Sequence, residues 1–221
     1  MKVLVAGANG KIGTILCGKM WGHSHFSPVA LIRDERQQIK FTAFGVPSVV
    51  GDLEAGAGEF LPGLDAVVFT AGSGSRTGPE KTIDVDQNAA IRLIADCQKA
   101  GVRRFLMISA IGSDPHSESD RIQHYYKAKG VADENLRASS LDYVILAPGH
   151  LTDAPGTGRI DAAEDLGRGG EIPREDVADA ILAALETPAA IGKTIQILGG
   201  ETAIAEAVAQ AVGGNTLPPI A

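Results

Sequence analysis

The chain has 221 residues, of which 44% are hydrophobic and 21% are charged, and its formal net charge is −7. This composition excludes a disordered chain, and the acidic balance argues against a nucleic-acid partner held mainly by charge. No apolar run reaches the length of a membrane span, and the apolar start ends at Gly7 without a cleavage site, so we expect a cytoplasmic protein with no membrane contact.

Short apolar runs alternate along the chain with segments of helical periodicity. Strands are predicted at 2–6, 29–33, 48–50, 66–70, 104–109, 143–147 and 194–198. Helices are predicted at 11–23, 34–44, 79–100, 124–139 and 174–186, with a last helix from about residue 201. The alternation predicts an α/β fold with a parallel sheet and right-handed crossover connections.

Nothing in the sequence divides the chain, so residues 1–221 are predicted to form a single domain. Segment 148–173 is rich in Gly, Asp and Pro, and we expect an irregular loop there, over the carboxyl ends of the strands. With 200–221 it is predicted to form a small cap on the substrate side. The cysteines and histidines lack metal-ligand spacing, which predicts buried thiols at Cys17 and Cys97 and no metal site.

Three glycines follow the first predicted strand directly: Gly7, Gly10 and Gly13. The start of the next helix offers unpaired N–H groups and a partial positive charge, on which a pyrophosphate can rest if the backbone comes close. Gly7 would permit the tight turn, Gly10 the close approach and Gly13 the packing of helix on strand. A glycine-rich turn that binds nothing is the alternative, but the strand–turn–helix context favours a dinucleotide site.

The spacing G-x-x-G-x-x-G, written GANGKIG at 7–13, resembles the short-chain dehydrogenase/reductase superfamily, and more narrowly its atypical, NmrA-like branch of NAD(P)H-binding proteins. The resemblance covers nearly the whole chain, through LIRD at 31–34, VVGDL at 49–53, VVFTAGSG at 67–74, KTIDVDQNA at 81–89, FLMISAIG at 105–112, YYKAK at 125–129, LDYVILAPGHLT at 141–152 and REDVADAI at 174–181. It implies a Rossmann-type, doubly wound parallel sheet. It also implies an NAD(P) cofactor on the glycine loop, with Asn9, Lys11 and Ile12 among the contacts.

Two residues at the end of the second strand bear on the choice of cofactor. In related NADP-binding branches the position of Arg33 is basic and binds the 2′-phosphate, and a guanidinium suits a phosphate well. Lys11 could add a second positive charge. A shift of one residue would instead make Asp34 the ribose partner of NAD, and a surface Arg–Asp pair is a third interpretation. We expect NADPH to be preferred, with NAD possible.

The resemblance implies further cofactor contacts at the ends of the third, fourth and sixth strands. Asp52 would accept a hydrogen bond from the adenine amino group, with Leu53 beside the ring, although Asp52 could also cap a helix. Small residues after the fourth strand would let the backbone approach the ribose, unless they form only a flexible loop. The contacts expected here are Ala71, Gly72, Ser73 and Pro148.

Members of the superfamily reduce carbonyls or oxidise alcohols with a Tyr and a Lys spaced Y-x-x-x-K on one helix. The ammonium lowers the pKa of the tyrosine, which exchanges a proton with the substrate oxygen. Here Tyr125 and Lys129 fall on the small and apolar stripe of Ala128, Ala132 and Leu136, so we predict that this pair faces inward.

Other residues of the same helix fall on what we predict to be its polar side. Tyr126 aligns with Gly130, Asp133 and Arg137, and Lys127 aligns with Val131 and Glu134. The alternative to catalysis is a Tyr that packs in the core and a Lys that extends to its edge, although Lys129 would still be expected to contact the cofactor ribose.

A serine after the fifth strand assists catalysis in the family, and Ser109 is the first candidate, followed by Ser113. Strand-end serines are common, so a purely structural serine is the alternative. Relatives often read R-P-G after the sixth strand, whereas this chain has Ala147-Pro148-Gly149, which makes the substrate preference of those relatives hard to transfer.

Three functions fit these residues. The first is an NADPH-dependent reductase of a small carbonyl, quinone or flavin-type acceptor, acting as a monomer or homodimer. The second is an NmrA-like sensor that binds NADP(H) without turnover. A sugar-nucleotide epimerase or dehydratase is the third, and it is disfavoured because little chain remains after Leu198 for a substrate domain.

Overall fold

The apolar runs of the sequence form the strands of one large sheet. The computed structural model describes residues 1–74, 77–118 and 122–213. Each predicted strand is present, with bounds that differ by at most two residues from those expected. The strands are β1 (Lys2–Ala6), β2 (Ser27–Ile32), β3 (Ser48–Val50), β4 (Ala66–Phe69), β5 (Arg104–Ile108), β6 (Asp142–Pro148), β7 (His150–Thr152), β8 (Arg159–Ala163), β9 (Glu171–Pro173), β10 (Lys193–Gly199) and β11 (Thr202–Ala203).

The large sheet has nine strands in the order β11-β8-β10-β6-β5-β4-β1-β2-β3. From β10 to β3 the strands run parallel. The order reverses beside β1, which lies between β2 and β4, and such a reversal leaves a crevice at the carboxyl ends of the strands. The sheet is therefore of the Rossmann type, as the sequence predicts.

Helices cover both faces of the sheet. They are α1 (Lys11–Trp21), α2 (Gln38–Ala43), α3 (Pro79–Thr82), α4 (Ala90–Ala100), α5 (Gln123–Arg137), α6 (Arg174–Glu186) and α7 (Ile204–Ala211). A π-helical segment, Ile83–Ala89, joins α3 to α4, so the helix predicted at 79–100 is continuous but contains a wider turn. Within the described part of the chain, no helix is both long enough and apolar enough to cross a membrane.

The side chains of the strands alternate between two cores. Val5 of β1 lies in a core with Leu16 of α1 and Ile181 of α6. Its neighbour Leu4 lies in the opposite core, with Leu93 of α4 and other residues of α4 and α5. Both faces of the parallel strands are buried in this way, which explains their continuous apolar sequence.

Segment 148–173 is not the irregular loop that its composition predicts, because it contains β7, β8 and β9. Strand β8 pairs antiparallel with β10 and extends the large sheet, while β7 and β9 pair with each other. These strands are short and their partners are distant in the chain, so composition alone did not reveal them.

The second part of the predicted cap, 200–221, contains α7. Ile204 and Val208 of this helix are buried in the same core as α6. Residues 214–221 lie outside the described residues, and the role of the two segments as a substrate cap stays a prediction.

Candidate cofactor and active site

The glycine loop lies between the carboxyl end of β1 and the start of α1. Gly7 has a φ of +85°, and a Cβ added there would lie 2.6 Å from the Cα of Ala71. A Cβ on Gly13 would lie 2.5 Å from the carbonyl oxygen of Gly7. Neither position tolerates a side chain, because the obstructing atoms belong to the backbone.

Gly10 differs from the other two glycines of the loop. Its φ of −67° and ψ of 166° suit any residue, and an added Cβ would lie 3.2 Å from the oxygen of Gly7. It occupies the N-cap position of α1, where no side chain caps the first N–H groups of the helix. At the start of α1 the backbone N–H groups therefore have no capping side chain, and the glycines of the loop leave room in front of them. Both features suit the binding of a diphosphate.

Lys11, the first residue of α1, is exposed and has an ionic partner. Its Nζ forms an ion pair with Asp153, and Arg174 donates to the other oxygen of Asp153 at 2.6 Å. The bond from Lys11 holds the pKa of the Asp153 carboxyl below its ordinary value. Lys11 thus joins the glycine loop to the residue after β7, and its predicted contact with the cofactor would compete with this pair.

The other two loop residues are placed differently. Asn9 is exposed, and its Oδ1 lies 3.4 Å from the Nζ of Lys40, a residue of α2 that also donates to Thr14 at 2.6 Å. Ile12 is buried in the core, so only its backbone faces the loop. Lys40 is a basic group beside the loop that the sequence did not indicate, because α2 is distant in the chain.

Arg33 and Asp34 follow β2 and have separate surroundings. Arg33 is exposed. Asp34 accepts hydrogen bonds from the backbone and side chain of Arg36, and these bonds lower the pKa of Asp34 to about 2. The Asp34 carboxylate is therefore engaged within its own turn, while Arg33 is exposed directly after the carboxyl end of β2.

The residues after β3 form a turn. Asp52 is exposed and accepts a hydrogen bond of 2.9 Å from the N–H of Glu54, so it caps a turn and not a helix. Leu53 is half-buried and packs against the core that contains Leu4. Their predicted contacts with adenine stay predictions.

The segment after β4 is held by specific bonds. Ala71 is half-buried directly against Gly7. The N–H of Ser73 donates to Asp86 Oδ2 at 2.9 Å, and a Cβ on Gly72 would lie 3.2 Å from the other oxygen of Asp86. This described part, which ends at residue 74, is therefore anchored to the π-helical segment and is not merely a flexible loop.

Pro148 ends β6 and is buried. Its carbonyl oxygen accepts a hydrogen bond of 3.0 Å from the N–H of Ile111. This bond holds the loop after β5 beside the carboxyl end of β6.

Tyr125 and Lys129 lie on the inner face of α5. Lys129 is 4% exposed, donates to the carbonyl oxygen of Ile108 at 3.1 Å and forms an ion pair of 3.1 Å with Asp86. Its Nζ lies 5.9 Å from the ring centroid of Tyr125, which is half-buried. The helix thus brings the tyrosine and the buried ammonium together next to Asp86, to which Ser73 is also bonded.

Burial and neighbouring charges act in opposite directions on the pKa values of this pair. Burial raises the pKa of Tyr125 above its ordinary value and outweighs the lowering by Lys129. Burial alone would lower the pKa of Lys129, but Tyr125 and Asp86 raise it above its ordinary value. The lowering by Lys129 that the sequence predicts is therefore present, but burial outweighs it, and the pKa of Tyr125 lies above its ordinary value in the protein without cofactor.

Ser109 is 2% exposed, and its hydroxyl donates to Asp133 Oδ2 at 2.6 Å. Ser113 lies 3.0 Å from the same hydroxyl and is half-buried. Burial raises the pKa of Asp133 to about 6, even though Ser109, Arg137 and Lys129 act in the opposite direction. The hydroxyl of Ser109 thus links the end of β5 to α5. Its direct contact with a substrate stays a prediction.

The predicted polar side of α5 is wrong at two positions. Asp133 is 3% exposed. Gly130 is buried, and a Cβ added there would lie 2.3 Å from the backbone nitrogen of Pro115. Tyr126 and Lys127 are half-buried and not fully outside. The loop after β5 packs over this side of the helix, which helical periodicity alone could not reveal.

Sequence reasoning missed Asp86 and Asp133. Asp133 follows Lys129 by four residues, so its spacing from an inward lysine was a usable signal. Asp86 lies in the quoted segment KTIDVDQNA, but no regular α-helical spacing gives its direction, because it lies in the π-helical segment. Both carboxylates are buried close to the lysine.

Two histidines contact a carboxylate far from this site. His25 Nδ1 lies 2.7 Å from Glu186 Oε1, and His23 Nε2 lies 3.9 Å from the same oxygen. They precede β2 at the amino-terminal edge of the sheet, opposite the glycine loop.

Comparison with known proteins places this site in a family. A protein from Bacillus subtilis called the uncharacterized sugar epimerase YhfK is 39% identical over 94% of this chain and 99% of its own length. A solved structure of a putative NAD-dependent epimerase/dehydratase from Bacillus halodurans is 39% identical, with a TM-score of 0.90 over 95% of this chain and 99% of that one. The oxidoreductase ylbE from Lactococcus lactis is 30% identical, with a TM-score of 0.83 over 98% and 99% of the two chains.

A family model described as NAD(P)H-binding matches residues 7–188, from the first glycine of the loop to the end of α6 and beyond. The matched region includes Arg33, the segment after β4 and the Tyr125–Lys129 pair. The resemblance to atypical, NmrA-like short-chain dehydrogenase/reductases is therefore confirmed, and the chain belongs to the NAD(P)H-binding family, whose cofactor is NAD(P).

Proposed function

We propose that the protein is an NADPH-dependent reductase of a small carbonyl, quinone or flavin-type acceptor, with Tyr125 as the proton donor. The observation that carries the proposal is the inward pair of Tyr125 and buried Lys129. They lie at the carboxyl edge of the sheet, joined through Asp86 to the segment beside the glycine loop. A glycine turn alone would bind a nucleotide but needs no such pair.

The chain's own groups would hold the cofactor. The backbone of the glycine loop and the start of α1 would bind the diphosphate, and the small residues after β4 would lie against the ribose. Lys129 donates a hydrogen bond to Ile108 and forms an ion pair with Asp86, which leaves donor capacity for a ribose hydroxyl. When bound, the reduced nicotinamide supplies a hydride to the acceptor.

Tyr125 would supply the proton that completes the reduction. Its pKa is not lowered below the ordinary value of a tyrosine, so its hydroxyl carries a proton that it can donate to the oxygen that gains electron density. A dehydrogenase would instead need the phenolate as a base.

The side chains after β2 support a preference for NADPH. The Asp34 carboxylate is engaged by Arg36, so it is poorly placed to bind a ribose hydroxyl, whereas Arg33 is exposed at the carboxyl edge. A guanidinium offers a planar pair of donors to a phosphate.

We expect Arg33→Ala to narrow the difference in affinity between NADPH and NADH. The lost charge-assisted contact is worth about 1.5–3 kcal/mol, or about one to two decades in the Kd of NADPH, with little change for NADH. Titration with both nucleotides, followed by fluorescence, measures the two constants. Arg103→Ala is the matched control, because Arg103 is exposed near the amino-terminal end of β5 and pairs only with Asp142 in the described structure. Equal affinities in the unmutated protein would contradict the proposed preference.

An epimerase or dehydratase is the second candidate, because the names of two relatives point to that chemistry. Such an enzyme regenerates its nicotinamide cofactor in each turnover. The described chain after β6 offers only the small β7–β9 sheet, β8, β10, β11 and two helices, most of which belong to the main domain. A separate domain for a nucleotide sugar is absent from the described residues.

One assay separates the candidates. NADPH is supplied with a panel of aldehydes, ketones, quinones and flavins, and its oxidation is followed by absorbance. A reductase consumes NADPH in proportion to one of these acceptors. Conversion of a nucleotide sugar without net NADPH consumption would favour the epimerase, and tight binding of NADPH with no turnover of any compound would favour the sensor.

A further inference from the structure

The proposed function gives no role to Asp86, although its carboxylate is buried beside the candidate active site. It is 1% exposed, its Oδ1 lies 3.1 Å from Lys129 Nζ, and its Oδ2 accepts the N–H of Ser73 at 2.9 Å. A carboxylate is costly to bury unless it is paired. Its partners here are a lysine of the candidate active site and the backbone beside the glycine loop.

The charges that face Tyr125 come from two elements. Helix α5 contributes Lys129, Asp133 and the phenol of Tyr126, and the π-helical segment contributes Asp86. The neighbours of Lys129 from β4 and β5 are the ring of Phe69 and a carbonyl group, and neither is charged. One ammonium is therefore surrounded by two carboxylates, of which only Asp86 forms an ion pair with it in the described structure.

We propose that Asp86 raises the pH at which Tyr125 loses its proton by offsetting the charge of Lys129. Asp86 is a positioning residue, because it acts through Lys129 and not on an acceptor. The proposal deepens the proposed function, since a proton-donating tyrosine is what a reductase needs and an ammonium without a carboxylate beside it lowers the pKa of a nearby tyrosine further.

The geometry of the segment supports this role. A π-helical turn is wider than an α-helical one and is frequent at functional sites. Here the wider turn contains Asp86, whose carboxylate contacts Lys129 and Ser73 at once. The same carboxylate thereby fixes the position of the ammonium relative to the segment after β4.

The test is a titration of tyrosine in the protein without nucleotide or acceptor. In Asp86→Asn, Lys129 loses its anionic partner, so we expect the phenolate of Tyr125 to form at a pH lower by at least about one unit. Phenolate formation is followed by ultraviolet absorbance. The chain has three tyrosines, so the signal of Tyr125 is obtained by subtracting the same variant with Tyr125→Phe.

Asp84→Asn is the matched control, because Asp84 lies exposed on the same π-helical segment. It should leave the titration of Tyr125 unchanged. In the reductase assay, Asp86→Asn should also shift the alkaline limb of the pH profile downward by the same amount, and Asp84→Asn should not.

A buried lysine without an anionic partner could prevent Asp86→Asn from folding. The same comparison is therefore made in Lys129→Met, where removal of Asp86 leaves no unpaired ammonium. Because Asp86 is proposed to act through Lys129, the titration of Tyr125 should not move when Asp86→Asn is added to Lys129→Met. An unchanged Tyr125 titration in folded Asp86→Asn, or an equal downward shift in the Lys129→Met background, would overturn the proposal. Because neither nucleotide nor acceptor is present, this result is independent of whether the protein proves to be a reductase.

Discussion

Gly10→Val should abolish nucleotide binding while the protein remains folded. The backbone of Gly10 has dihedral angles open to any residue, and its closest obstacle is one carbonyl oxygen at 3.2 Å. A valine side chain would project over the uncapped start of α1, where a diphosphate would rest. We expect the Kd of NADPH to rise by about a hundredfold or more, which corresponds to about 2.7 kcal/mol, as measured by calorimetry.

The matched control for this variant is Gly18→Val. Gly18 lies exposed on the same helix, and nothing lies within 4 Å of its added Cβ, so the substitution should leave binding unchanged. Thermal melts of both variants should stay close to that of the unmutated protein. Normal binding by a folded Gly10→Val would mean that the loop does not hold phosphate groups. Gly7 and Gly13 are unsuitable for this test, because side chains there collide with backbone atoms.

The strands of the parallel sheet were predictable because each is covered on both faces. Val3, Leu4 and Val5 are fully buried, and a continuous apolar run of this kind is typical of a strand covered on both faces. Strand β8 was missed for the opposite reason. Its residues Arg159–Ala163 are partly exposed and mixed in character, and only their pairing with β10 makes them a strand. Long-range pairing of this kind leaves no local signal.

The candidate site was predictable where one turn of helix determines the geometry. The spacing of Tyr125 and Lys129 predicts a common face, and Lys129 is indeed buried there. The charges around the pair were not predictable, because Asp86 arrives from a separate segment of non-α-helical geometry. Helical periodicity placed Asp133 on the polar side of α5, because the loop after β5 that covers this side could not be predicted from the sequence. The direction of the pKa shift of Tyr125 depends first on its burial and then on the charges around it, so it could be obtained only from the structure.

Tyr125→Phe should lower the rate of reduction by about two to four decades, the usual worth of general acid–base catalysis. The substitution removes one hydroxyl, and the ring keeps its contacts with Lys129 and Tyr126, whose ring centroid lies 5.8 Å away. The fold and the affinity for NADPH should therefore change little. The rate is measured as NADPH oxidation with whichever acceptor the protein reduces, and the affinity is measured separately by titration.

Two further variants make the role of Tyr125 specific. Tyr126→Phe is the matched control, because Tyr126 is the neighbouring half-buried tyrosine and its ring lies against Gly112. The rate of reduction by the Tyr126→Phe variant should stay near that of the unmutated protein. Lys129→Ala should impair both the rate and the binding of NADPH, since the same ammonium is proposed to contact the ribose. Full activity in Tyr125→Phe would contradict the mechanism, because the proton would then have to come from water or from another group. Equal losses in Tyr125→Phe and Tyr126→Phe would point instead to packing of the aromatic pair, since only one of the two hydroxyls is proposed to move a proton.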